Sequence, residues 1–257
     1  FSGTLDTTNP TVYSIARVPD DSGRIYVGGS FTSVNGTSQP GLVRLNSDGS
    51  RDSAFDVGTG FSSRIDVVEP FENGSGEILV GGHFDHFRGS AQNRIVALTS
   101  AGAKTSAFGS GDPLGLFYAS NCYVAAIVVP PDGSDRALVA PDSCSGVQIR
   151  RVTAAGTNDS PLPSDFGTSW PWLSLALDVV EPDRTDTHGA FYTAGSGYWM
   201  LNGSYASFTP SKMGRWLLTG YLDSTFNLQG TASVSGLGRN SDAPQDYYST
   251  VVRNAPD

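Results

Sequence analysis

Apolar residues along the chain gather in short runs separated by Gly, Pro, Asn and Asp, which is how strands joined by tight turns read. A run at 12–18 leads through an acidic Pro/Gly turn to a second run at 24–27. A Gly-Gly pair, a polar loop and a third run at 41–45 follow, then a turn ending in Gly49 and a closing segment at Phe55. The same order returns at 65–70, 77–80, 94–98 and Phe108. Each unit predicts four short antiparallel strands, which repeated about an axis make the blades of a propeller.

Comparison of the chain with itself fixes the unit length. Gly28-Gly29-Ser30-Phe31 recurs as Gly81-Gly82-His83-Phe84, a shift of 53, and Leu45, Gly49, Ser53, Ala54 and Phe55 recur at the same shift as Leu98, Gly102, Ser106, Ala107 and Phe108. A third copy places Gly156 opposite Gly102 and Leu162 opposite Phe108, with Ala140-Pro141 in place of the glycine pair. In a longer fourth copy Gly195 stands in the glycine region, and Gly220-Tyr221-Leu222-Asp223-Ser224-Thr225-Phe226 matches the stretch from Gly49 to Phe55. An insertion around 202–213 accounts for its extra length. Phe55, Phe108 and Phe226 are expected at equivalent buried positions.

The units run over 9–61, 62–109, 110–168 and 169–229, with partial units at 1–8 and 230–257. The partial units resemble the close and the opening of a repeat. Two explanations compete: the sequence is a fragment of a longer propeller, with a leader or upstream region ahead of Phe1, or its terminal strands are completed by another chain through edge pairing. The expected fold is therefore an all-β propeller of four recognisable four-stranded blades plus two partial terminal units. Pro-Asp marks four turns, at Pro19-Asp20, Pro131-Asp132, Pro182-Asp183 and Pro256-Asp257. Proline sets φ for a turn and Asp accepts from the backbone just beyond it, so turn chemistry accounts for these acids and no metal is expected.

The Gly-Gly-x-Phe strand end, Val43-Arg44-Leu45-Asn46-Ser47-Asp48-Gly49-Ser50 and the Asp-Ser-Ala-Phe or Leu-Asp-Ser-Thr-Phe endings resemble the delta-60 repeat, a β-propeller repeat of large bacterial surface proteins. The resemblance covers 11–108 and 222–226 and fades across 109–215. It implies fold and surface location, and it implies no catalysis.

Composition agrees with an all-β chain: 31 Gly and 15 Pro stand beside 2 Met. Only 16% of residues are charged and the formal charge is −9, with two lysines, Lys104 and Lys212, and scattered arginines. Phosphate backbones and anionic lipid surfaces need clustered cations, so neither nucleic acid nor membrane is an expected partner. The longest apolar stretches, 124–129 and 173–180, have the length of buried strands.

Cys122 and Cys144 flank an expected hairpin with 21 residues between them, and a disulfide is favoured over two unrelated thiols. By the loop-entropy account it would contribute about 3 kcal/mol and would place folding in an oxidising compartment. Four Asn-x-Ser/Thr sequons, at Asn35, Asn73, Asn158 and Asn202, fall in expected turns, where they are either glycosylation sites or plain turn formers. All four tryptophans, Trp170, Trp172, Trp199 and Trp216, lie in the second half. Exposed, they would stack on sugar rings or anchor a protein interface; buried, they would pack between blades.

No catalytic constellation emerges. His83 and His86 are three apart at a strand end, where the spacing does not direct both to one metal, and His83 replaces Ser30, a position read as variable and exposed. No Gly-x-Ser-x-Gly elbow occurs, and Glu69, Glu77, Asp85 and Glu181 are dispersed. The expectation is a non-enzymatic extracellular or cell-surface recognition module without cofactor, an adhesin-like or fibre-head propeller binding a surface glycan or protein. The rival is a structural subunit of an extracellular filament, pairing with copies of itself through edge strands. A carbohydrate-active hydrolase is a minor alternative.

Overall fold

Each apolar run pairs with its neighbour in sequence. The partial unit at 1–8 holds β1 (Leu5–Asp6), and the first unit holds β2 (Val12–Arg17), β3 (Ile25–Gly29), β4 (Ser33–Val34), β5 (Thr37–Ser38) and β6 (Leu42–Leu45). The second holds β7 (Ile65–Pro70), β8 (Ile78–Gly82), β9 (His86–Phe87), β10 (Ser90–Ala91) and β11 (Ile95–Leu98). Then come β12 (Tyr123–Val128), β13 (Arg136–Asp142) and β14 (Arg150–Thr153), and finally β15 (Ala176–Val180), β16 (Ala190–Leu201) and β17 (Ser204–Leu217). The structure, a computed structural model, describes residues 5–6, 10–71, 73–92, 94–106, 122–129, 136–142, 150–153, 155–157, 176–180, 190–201 and 204–217; at 5–6, at 142 and from 176 onward only the backbone is described. Among the described residues there is no helix.

Four antiparallel three-stranded meanders result, β2-β3-β6, β7-β8-β11, β12-β13-β14 and β15-β16-β17, each with its second strand in the middle, and the two-residue strands form two further sheets, β1-β4-β5 and β9-β10. The meanders stack in sequence order through their first strands, β2 on β7, β7 on β12 and β12 on β15. Consecutive meanders packed face to face give an all-β, propeller-like array.

Alternation along the strands serves two joints at once. Ile78, Val80, Val96 and Leu98 of the second sheet join Tyr26, Leu42 and Phe55 of the first unit in one cluster. Leu79, Ile95 and Ala97 point the other way, into a cluster with Val124, Ile127 and Val139 of the third sheet. A sheet covered on both faces needs the nearly continuous apolar runs seen in the sequence.

The glycine pair has a steric cause. A Cβ on Gly28 would come within 2.8 Å of Val68 and 2.9 Å of Ile65, and one on Gly81 within 2.5 Å of Val124. A Cβ on Gly82 would meet the Arg64 carbonyl at 2.4 Å, where the first strand bulges toward the second. The bulge recurs at one place in three units, between Val12 and Ser14, Ile65 and Val67, and Val124 and Ala126. Pro141 opposes Val124 there as Gly82 opposes Ile65, so Ala140-Pro141 does hold the place of the glycine pair.

Two expectations change. The fourth strand of the first two units is a single bridge, Leu45 with Arg51 and Leu98 with Lys104. In the first unit the chain leaves the sheet because Asp52 accepts from the Ala54 amide at 2.9 Å, and that turn drives Phe55 into the joint against Tyr26, ring centroids 5.3 Å apart. Between second and third strands there is instead a two-residue hairpin, with Asn35 and Gly36 at φ 51° and 74° as a type I′ turn requires. In the fourth unit the extra length is no isolated insertion after Leu201. Both β16 and β17 extend, pairing from Ala190 with Leu217 out to Leu201 with Ser204 across a register shift at Gly195/Gly197.

Candidate binding site

At the bulged ends of β2, β7 and β12, side chains from three sheets meet. His83 donates its backbone N–H to the Arg64 carbonyl at 3.0 Å, which fixes residues 64 and 83 side by side. Ser30 and Thr11 make the same bond at 2.9 Å in the first unit. Onto that frame the second unit places large groups. The Arg64 guanidinium carbon lies 4.9 Å from the Tyr13 ring centroid and 5.8 Å from that of Tyr123. Its Nη2 is 2.7 Å from His83 Nε2, and its Nε is 3.0 Å from Asp66 Oδ1. The His83 ring stacks on Tyr123 at 3.8 Å and 24°, and Arg94 Nη1 donates to the His83 carbonyl.

Burial, then the charges of Arg64 and Arg94, push His83 down to about 4. The imidazole is therefore neutral at pH 7, and its Nε2 can accept from Arg64. Tyr123 is buried while Tyr13 is exposed, so the cluster shows solvent a tyrosine ring backed by a guanidinium. Such a surface stacks and hydrogen-bonds. The reading of His83 as an exposed variable position is thus corrected: it is half-buried, because Tyr123, 40 residues further along, covers it.

A second polar group joins Ser62, Asp85 and His86. Ser62 Oγ donates to Asp85 Oδ1 at 2.7 Å, and His86 Nδ1 lies 2.8 Å from the same oxygen. These two bonds hold the Asp85 carboxyl below its ordinary value, His86 contributing more than Ser62. Hydrolytic triads need the imidazole between hydroxyl and carboxylate. With the carboxylate in the middle and all three residues exposed, these residues form a loop-bracing network. Among the described residues no group of three or more His, Cys, Asp and Glu is placed to hold a metal ion.

The residues singled out by sequence are distributed as follows. Trp216 pairs in register with Phe191 and Trp199 with Ala206, which separates the two along the hairpin by roughly 25 Å at the usual rise per residue. Their side chains, and Trp170 and Trp172 entirely, lie outside the described residues. Asn35 and Asn73 are exposed in turns, and Asn73 Oδ1 accepts from the Ser75 amide at 2.9 Å. Asn158 and Asn202 lie outside the described residues. Cys122, buried just before β12, is disulfide-bonded; Cys144, the chain's other cysteine, lies outside the described residues. Phe55 is fully buried, while Phe108 and Phe226 lie outside the described residues. Sequence reading missed the Tyr13, Arg64 and Tyr123 grouping. A signal existed, since Thr11, Arg64 and Cys122 stand next to the first strand of their units, but only the bulge register brings their neighbours together.

A family model described as a domain of unknown function, DUF5122 beta-propeller, matches residues 21–55, from the first Pro/Gly turn to the buried Phe55. Among solved structures the chain is similar to a calcium-binding protein, regucalcin, from Agrobacterium tumefaciens strain C58. The identity is 13%, the match covers 87% of this chain and 77% of that one, and the TM-score is 0.39. None of the curated proteins matches the chain.

Proposed function

We propose that the protein is a non-enzymatic extracellular recognition module, a propeller head of the delta-60 type that binds a surface glycan through the bulged ends of its sheets. The observation that supports this most is the exposed Tyr13 ring packed on Arg64, with Tyr123 and His83 behind it. A flat exposed ring with a guanidinium packed against its inner face offers a stacking face with donors at its edge that sugar hydroxyls take up. The disulfide at Cys122 supports an oxidising compartment. The tryptophans of the fourth unit are the second aromatic group to assay.

Glycan-array binding of the intact chain tests the reading. Tyr13→Ala should lower the signal about tenfold, the loss typical of a contact residue worth somewhat over 1 kcal/mol, while Asn35→Ala leaves it unchanged. Full retention of binding in Tyr13→Ala and Arg64→Ala would move the site elsewhere. Hydrolysis of a polysaccharide that stops on replacing one carboxylate would replace the binding role with an enzymatic one.

A further inference from the structure

The joints between sheets share one chemistry, and one sheet shows half of it without a match. Ile65 and Val68 of β7 fill the space over Gly28, and Val124 of β12 fills the space over Gly81. The register makes Val12 the counterpart of Ile65 and Val124, and Ile15 the counterpart of Val68. Ile65, Val68 and Val124 are 0%, 1% and 0% exposed, whereas Val12 and Ile15 are 39% and 64% exposed. Among the described residues, β2 carries the branched residues of a joint with no small residue beneath them.

The matching partner is the fourth sheet. Tyr192 opposite Arg215 repeats Tyr26 opposite Arg44, and both arginines stand five residues before the turn glycine, Gly220 or Gly49. In that alignment Ala194 occupies the position of Gly28. Ala140 occupies it in the third sheet, whose first strand packs on β15, so alanine already serves at one joint.

The register adds a second point of agreement. Between the second and third sheets, Glu69 Oε1 accepts from the Val129 amide at 3.4 Å. Asp178, opposite Tyr192, holds the register position of Glu69, and the exposed Arg17, opposite Ile25, holds that of Val129. Asp178 and Arg17 thus hold the two positions, one on each first strand, that meet at the existing joint. Among the described elements β2 packs on β7 and β15 on β12, and Ile15 is exposed.

We propose that the exposed stripe of β2, with Val12, Ile15 and Arg17, docks on β15 and β16 of a second copy of this chain, head to tail, by the joint that already connects its own sheets. A heterologous contact of this kind repeats, giving rings or filaments.

Sedimentation velocity of the purified chain without any glycan tests it, so that failure leaves the binding-head reading standing. The wild-type chain should associate as concentration rises. Ile15→Arg, a change at an exposed site, should abolish association with an unchanged circular dichroism spectrum. Arg17→Asp and Asp178→Arg should each weaken association about tenfold or more, and an equimolar mixture of the two variants should restore it, since each then meets the opposite charge on its neighbour. A wild-type chain that stays monomeric overturns the proposal. So does a mixture that restores nothing, or an Ile15→Cys/Ala194→Cys double variant that links within one chain, because the fourth sheet would then close on its own first sheet.

Discussion

The first two sheets are built on one repeat but have different interiors. In the first, the buried Arg44 donates from Nε to Asp52 Oδ2 at 2.8 Å and from Nη1 to the Ser100 carbonyl of the next unit at 2.6 Å. Its guanidinium carbon lies 5.1 Å from the Phe55 ring centroid and 5.8 Å from that of Tyr26. In the second sheet the same positions are Ala97, Thr105 and Leu79, with no charge. The backbone does not register the change: Asp52 donates to the Arg44 carbonyl at 2.9 Å and Thr105 to the Ala97 carbonyl at 3.0 Å. Closing the unit is thus a main-chain property, and the ion pair is an addition that comes and goes as a pair. Arg151 and Arg215 hold the arginine position in the other two units, with Asp159 and Asp223 eight residues on, as Asp52 is from Arg44.

Breaking the pair from one side should have the largest effect. Asp52→Thr strands the buried guanidinium and should cost about 3–5 kcal/mol in urea unfolding. Arg44→Ala with Asp52→Thr, which installs the second sheet's residues in the first, should cost only about 1–2 kcal/mol. A double variant as unstable as Asp52→Thr alone would mean that the two sheets differ in more than this pair.

A smaller effect compares the joints. Gly28→Ala and Gly81→Ala each force a Cβ into a branched side chain and should cost about 1–3 kcal/mol, with Gly81 the worse because its space is tighter. Adding Val68→Ala should recover part of the loss from Gly28→Ala and none from Gly81→Ala. Equal recovery in both would show that the joints are not separate.

The smallest effect is a pH dependence that only the second sheet should show. His83 titrates near 4 in the folded chain against an ordinary 6.5, so as pH falls the unfolded chain takes up the proton first. Its neutral form stabilises the fold fully above about pH 6.5, and this contribution is lost progressively down to about pH 4. With the ring partly open to solvent, the loss should be about 1 kcal/mol. His83→Ser, the first sheet's arrangement, should flatten that part of the profile in thermal melts at pH 7 and pH 4.5.

The sequence made the unit length and the glycine pair visible because both are imposed by backbone packing, which leaves no choice of residue at Gly81 and Gly82. The fourth strand was overread, since a turn set by the Asp52 carboxylate takes the chain out of the sheet after one bridge at Arg51. His83 was misplaced for a different reason. Its surroundings come from Arg64 before it and Tyr123 in the next unit, so no window around residue 83 contains them. The same holds for Arg44, whose partner Ser100 lies 56 residues on.

The stacking of sheets in sequence order also bears on how such a chain is made and remade. Each joint sets a second strand against the first strand of the following unit, which reaches the ribosome exit about forty residues later, as Val68 follows Gly28 and Val124 follows Gly81. The interior can therefore close unit by unit during synthesis, with little waiting on distant parts of the chain. By the same logic a duplicated unit inserted at a joint brings its own branched residues and its own small residue, so the gene can lengthen by whole repeats while every existing interior stays as it was.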